Sequence, residues 1–167
     1  LRFLARNGET TLDELDRLIL CTLQQDGRTP FTRIAKQANV SEATIRSRYH
    51  SLVEQGIART VAVVDPAALG FEAPALIGVS VDTDKIEPVS KAITAFPEVS
   101  YLVMTLGSWD LTVEVFCRDL GELTDFITRK LGTIPGVRTT ETLMIAKSYK
   151  LSYCWSPEEQ MGEDDAE

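Results

Sequence analysis

Along the first third of the chain apolar residues recur with helical spacing. Leu12, Leu15, Ile19 and Leu23 share one face, with Leu18 and Cys21 beside them, which predicts an amphipathic helix. Ahead of it, Thr11-Leu12-Asp13-Glu14 reads as a capping box, Thr11 supplying the hydroxyl and Glu14 reaching back. Asp26-Gly27 ends the run. After Pro30, Thr32 is the expected cap of a short helix through residue 38, with Ile34, Ala35 and Ala38 inward. Ser41 is expected to cap a third helix reaching about residue 55, and Gly56 to stop it in a left-handed conformation. Residues 59–64 are apolar and β-branched and predict a strand.

From residue 75 the period changes. Residues 75–81 read as a strand, and residues 85–95 as a helix with Ile86, Val89, Ala92, Ile93 and Phe96 on one face. Residues 99–106 and 111–117 are two strands joined by Gly107-Ser108-Trp109-Asp110. A helix over 120–131 and a strand to about residue 147 complete the order βαββαβ, the split βαβ arrangement of ferredoxin-like folds. Two helices cover only one face of such a sheet, and the other face predicts a second subunit. The fold class is therefore α+β: an N-terminal winged helix-turn-helix followed by a ferredoxin-like βαββαβ oligomerisation domain. The expected divisions are an arm over 1–10, a winged helix-turn-helix over 11–58, a hinge strand and linker over 59–74, the ferredoxin-like domain over 75–150, and an acidic tail over 151–167.

Charge changes this picture only when divided. The net charge of −8 over 167 residues would by itself argue against a nucleic-acid partner. Residues 1–65 nevertheless carry nine Lys and Arg against eight Asp and Glu, and six acids without a base lie in 158–167. The acidity belongs to the C-terminal part, and the tail has the composition of a solvated segment. Three cysteines (Cys21, Cys117, Cys154) at wide spacing predict neither a disulfide framework nor a zinc site. The single histidine, His50, sits mid-helix, and phosphate-loop, dinucleotide and hydrolase motifs are missing from the sequence. No catalytic residue, metal or cofactor is expected, and the chain is not expected to be an enzyme. A leader peptide and a membrane segment are likewise not expected.

The third helix carries the candidate function. Ile45, Tyr49 and Leu52 face the core, leaving Ala43, Ser47, His50 and Ser51 outward with Thr44 and Arg46 on the flanks. Small and hydrogen-bonding groups of this kind enter a major groove, and arginine reaches a guanine edge or a phosphate. Arg28 and Arg33, with Lys36 and Arg59, surround the helix pair as backbone contacts. Arg48 has two readings, a DNA contact or an internal ion pair. On pattern alone, protein-binding modules share the three-helix plan.

Several motifs in order resemble the Lrp/AsnC (leucine-responsive/asparagine) regulator family. They are residues 12–20 with Asp26-Gly27-Arg28, residues 40–57, Val64-Asp65-Pro66 with Leu69-Gly70, Gly107-Ser108-Trp109-Asp110, and Pro135-Gly136-Val137. The resemblance covers residues 11–150. It implies a bacterial or archaeal cytoplasmic, nucleoid-associated transcription regulator that binds double-stranded DNA at pseudo-palindromic operators. Homodimers and higher assemblies such as octamers are implied, with strand 59–64 pairing across the dimer and an amino acid or related metabolite held between subunits. The implied DNA contacts are Arg28, Arg33, Ala43, Thr44, Arg46, Ser47, Arg48 and His50. The implied effector residues are Leu106, Gly107, Trp109, Asp110, Thr140 and Thr142. Leu106 departs from the serine or threonine often found there in the family. The alternative is a metabolite-binding assembly protein, or an architectural DNA binder without a ligand response.

Overall fold

A computed structural model describes residues 12–151. The expected arm, Thr11, Cys154 and all but the first residue of the expected tail lie outside the described residues. Two compact units divide the chain near Val63 and Val64.

The first unit contains α1 (Glu14–Gln25), α2 (Phe31–Ala38) and α3 (Glu42–Glu54). The box that starts α1 is shifted two residues from the expected one. Asp13 is the cap, accepting from the Asp16 N–H at 2.9 Å, and Asp16 accepts in return from the Asp13 N–H. A carboxylate caps at least as well as a threonine hydroxyl and adds favourable charge at the helix start. Helix α2 begins after Pro30 rather than Thr32 and has no side-chain cap. Asn39 adopts φ 55°, letting the chain turn sharply before Ser41 caps α3. At the far end of α3, Gly56 takes φ 67°, and the Ile57 N–H closes the turn on the Leu52 carbonyl at 2.8 Å. Ile19, Ile34, Ala35, Ile45 and Leu52 form the core.

Residues 59–64 form no strand, and among the described residues this unit has no wing. Val61, Val63 and Val64 are more than half exposed. Their β-branched side chains favour an extended chain, but a strand needs a hydrogen-bonded neighbour, and the unit supplies none here.

The second unit contains β1 (Ala73–Val81), α4 (Ile86–Ile93), β2 (Val99–Met104), β3 (Leu111–Cys117), α5 (Leu120–Asp125) and β4 (Val137–Met144). The sheet is antiparallel in the order β2-β3-β1-β4. Ala75, Ile77 and Val79 of β1 and Val113 and Val115 of β3 meet Val89 and Ile93 of α4 and Leu123 and Phe126 of the second helical segment. Both helices thus cover one face. Leu76, Gly78, Glu114, Phe116 and Leu143 share the other by register. The helix expected over 120–131 is regular only to Asp125, then widens into a π-helical turn over Phe126–Lys130. The Thr124 and Thr128 hydroxyls donate to the carbonyls four residues back at 2.7 and 2.8 Å, contacts that bend helices.

Candidate nucleic-acid interface and effector loop

In the helical unit the exposed side of α3 is built from its cap outward. The Ser41 hydroxyl accepts from the Thr44 N–H at 3.1 Å and lies 2.8 Å from the Thr44 hydroxyl. Thr44 is therefore half-buried and committed to the cap. Ala43, Arg46, Ser47 and His50 are exposed and line one open concavity of about 810 Å³ with Phe31, Glu42 and Tyr49. His50 pairs with Glu54 at 3.1 Å along the helix. Arg28 and Arg33 are exposed, on the turn before α2 and on α2 itself.

Arg48 makes the internal ion pair that is one of its two readings. Its guanidinium lies 2.7 Å from Asp13 and 3.4 Å from both oxygens of Asp16. Asp16 is only 8 % exposed, and a buried carboxylate requires a cation and hydrogen bonds. The pair that starts α1 is thereby tied to α3. The Asp16 N–H, followed by Arg48, holds the Asp13 carboxyl below its ordinary range. Glu42 and Phe31, which line the same concavity, are absent from the residues expected from sequence; Glu42 and Arg46 stand four residues apart, a spacing that signals helix ion pairs.

In the sheet unit, the loop between β2 and β3 is held at its base. The Thr105 N–H donates to the Asp110 carbonyl at 2.9 Å, and the Thr105 hydroxyl to the Trp109 carbonyl at 2.9 Å. Leu106, Gly107 and Ser108 project outward, Leu106 being 96 % exposed. Asp110 Oδ2 accepts from the Val81 N–H at 2.7 Å and lies 3.4 Å from Arg138. That oxygen serves the end of β1, where a register shift falls between Ser80 and Val81.

Trp109 folds back over Gly78: a Cβ there would stand 2.1 Å from the indole, so the position requires glycine. The indole N–H donates to Glu141 at 3.2 Å. Thr140 and Thr142 do not join this group. They pair with Val79 and Ile77, whose buried side chains face the helices, so the two threonines lie on the opposite side of the sheet from Trp109. Alternation shows that they share a face but not which face. Glu141 and Arg138 were the residues to expect beside the loop. Among the described residues no group of three or more His, Cys, Asp or Glu is arranged to hold a metal ion, and no helix is long and apolar enough to cross a membrane.

Residues 12–53 match the AsnC-type helix-turn-helix domain and residues 74–153 the Lrp/AsnC ligand binding domain. The chain belongs to the Lrp/AsnC family. The HTH-type transcriptional regulator PH0140 of Pyrococcus horikoshii is 38% identical over 143 residues, 85% of this chain and 90% of that one. LrpA of the same organism is 33% identical over 140 residues, 83% and 99% of the two chains. The structure of E. coli AsnC superposes with a TM-score of 0.74 at 28% identity, covering 84% of this chain and 96% of that one. A regulator of Neisseria meningitidis, NMB0573, solved as a complex with L-Met, shares the fold at TM-score 0.77 and 24% identity over 90% and 99% of the two chains.

As a Lrp/AsnC protein the chain is a DNA-binding, helix-turn-helix transcriptional regulator with a ligand-binding domain, and not an enzyme. The helix-turn-helix match takes in α1, α2 and nearly all of α3, and the ligand-binding match includes all of the sheet but Ala73.

Proposed function

We propose that the chain acts as a homodimer, assembled further into an octamer, on pseudo-palindromic operators in the cytoplasm of a bacterium or archaeon, associated with its nucleoid. The observation that carries the DNA reading is the outward face of α3, where Ala43, Arg46, Ser47 and His50 stand exposed in one concavity. Side chains on the early turns of a recognition helix contact base edges, and two-fold symmetry spaces half-sites about 10 bp apart. Thr44 supports that face through the cap, while Arg28 and Arg33 contact phosphates. The expected domain divisions belong to this reading: residues 59–64, with their unpaired valines, take their strand partner from a second copy and link a reading unit to a sensing unit.

The effector is an amino acid or related metabolite held between subunits by Leu106, Gly107, Trp109 and Asp110. A ligand-binding domain and a fold shared with an L-Met complex support it. A second reading, DNA binding without a ligand response, is favoured by Asp110 Oδ2 already serving Val81 and by apolar Leu106.

Selection of bound duplexes from a random library by the full chain tests the first reading. A two-fold related consensus is expected, with affinity falling steeply as salt rises and lost on Ser47→Ala. A library without enrichment would end it. Thermal shift against the twenty amino acids separates the effector readings, since a ligand at a hundred times its Kd stabilises by about 2.7 kcal/mol.

A further inference from the structure

We infer that Glu42 is a specificity-determining residue: with Phe31 it holds Arg46 in position for a guanine edge, and its charge penalises non-cognate duplex. The inference rests on the reading that the outer face of α3 enters the major groove. Arg46 is two-thirds exposed, yet its guanidinium is held on two sides. Glu42 Oε1 takes Nη2 at 2.5 Å from one turn earlier, and the Phe31 ring of α2 lies beneath, 5.6 Å from centroid to Cζ. The brace itself is anchored. Phe31 packs against Tyr49 with ring centroids 5.3 Å apart, and the Tyr49 hydroxyl bonds the Thr60 hydroxyl at 2.6 Å.

An exposed pair of this spacing contributes little to helix stability. Its position is what matters. Glu42 opens α3, where the helix end favours a carboxylate and where a recognition helix comes nearest to base edges. A lone carboxylate there repels phosphate. Paired with Arg46 it removes the arginine's freedom to wander among phosphates, and it leaves the other guanidinium donors available for the O6 and N7 acceptors of guanine. When Arg46 has no guanine to meet, the carboxylate still faces a polyanion. Both effects lower non-specific binding more than specific binding.

The test uses the full chain and the duplex it selects. Affinities for that duplex and for a scrambled one are measured by fluorescence anisotropy at two salt concentrations, for the parent, Glu42→Gln, Phe31→Leu and Arg46→Lys. Glu42→Gln should bind the scrambled duplex several-fold tighter and the selected duplex no tighter, so the specificity ratio falls several-fold. All three variants should relax preference at one and the same guanine. The inference is overturned if Glu42→Gln raises both affinities by the same factor, or if it relaxes no position while Ser47→Ala still abolishes selection. If the parent enriches no sequence at all, the reading of α3 falls, and this inference with it.

Discussion

Arg48→Ala tests whether the link from α3 to the start of α1 stabilises the helical unit. The variant leaves Asp16, nearly buried, without its cation, and removes the 2.7 Å contact to Asp13. Breaking a fully buried ion pair by deleting one partner costs about 3–5 kcal/mol, and a surface pair is worth about 0–1 kcal/mol. Arg48 and Asp13 are each nearly half exposed, whereas the Asp16 side chain is 12% exposed, so the expected loss is about 1.5–2.5 kcal/mol. Asp16→Asn should cost less, because the amide oxygen still accepts at the helix start and the freed guanidinium reaches water. Hydrogen exchange at the buried amides of α3 reports the opening free energy of this unit without requiring the two units to melt together. A double-mutant cycle with Asp16→Asn should give a coupling of about 1 kcal/mol or more. The reasoning is refuted if Arg48→Ala exchanges within about 0.5 kcal/mol of the parent or if the two substitutions simply add.

Gly78→Ala should force the Trp109 indole away from the sheet, destabilising the second unit by about 1–3 kcal/mol and moving the indole N–H proton resonance as the Glu141 bond is lost; an unshifted resonance in a protein of parental stability would contradict the packing. Asp13 and Glu98 are both held below their ordinary values of 3.8 and 4.5. For Glu98, burial pushes upward but is outweighed by the Lys130 ammonium and a backbone N–H. Their stabilising contributions are therefore complete above those values and lost as pH falls through the lower folded ones, so acid titration by circular dichroism should show stability dropping below about pH 4.5. Lys130, raised by its bond to Glu98, gives the mirror image, a contribution lost only at strongly alkaline pH, which Lys130→Gln should abolish. Burial, followed by the nearby charges of Glu122 and Glu98, pushes the Cys117 thiol up to about 11; it should resist alkylation at pH 8 in the folded protein, and rapid labelling there would contradict its burial.

The elements legible in the sequence were those whose boundaries are local chemistry. Ser41 and Gly56 bracket α3 through a cap and a left-handed turn, and the alternation in residues 111–117 predicts β3 to the residue. What escaped depends on partners distant in sequence. Residues 59–64 have strand composition but no neighbour to bond within their unit. That Thr140 and Thr142 share a face follows from alternation, but which face they share is fixed only by their register with β1. Arg48 lies 32 positions from Asp16, so its alternative reading as an internal ion pair could be decided only by the fold. The capping acid Asp13 was inside the quoted motif, but a threonine two residues earlier satisfied the same pattern.

The position of Trp109 gives the molecule an intrinsic optical probe. The chain has two tryptophans; replacing Trp155 with phenylalanine leaves one emitter, half-exposed on the face of the sheet that the helices do not cover. An indole donating to a carboxylate emits according to how wet its surroundings are, and a second copy laid against that face would exclude water from it. Its emission should then shift to the blue on concentration and to the red on dilution, so association can be followed at nanomolar protein without a dye.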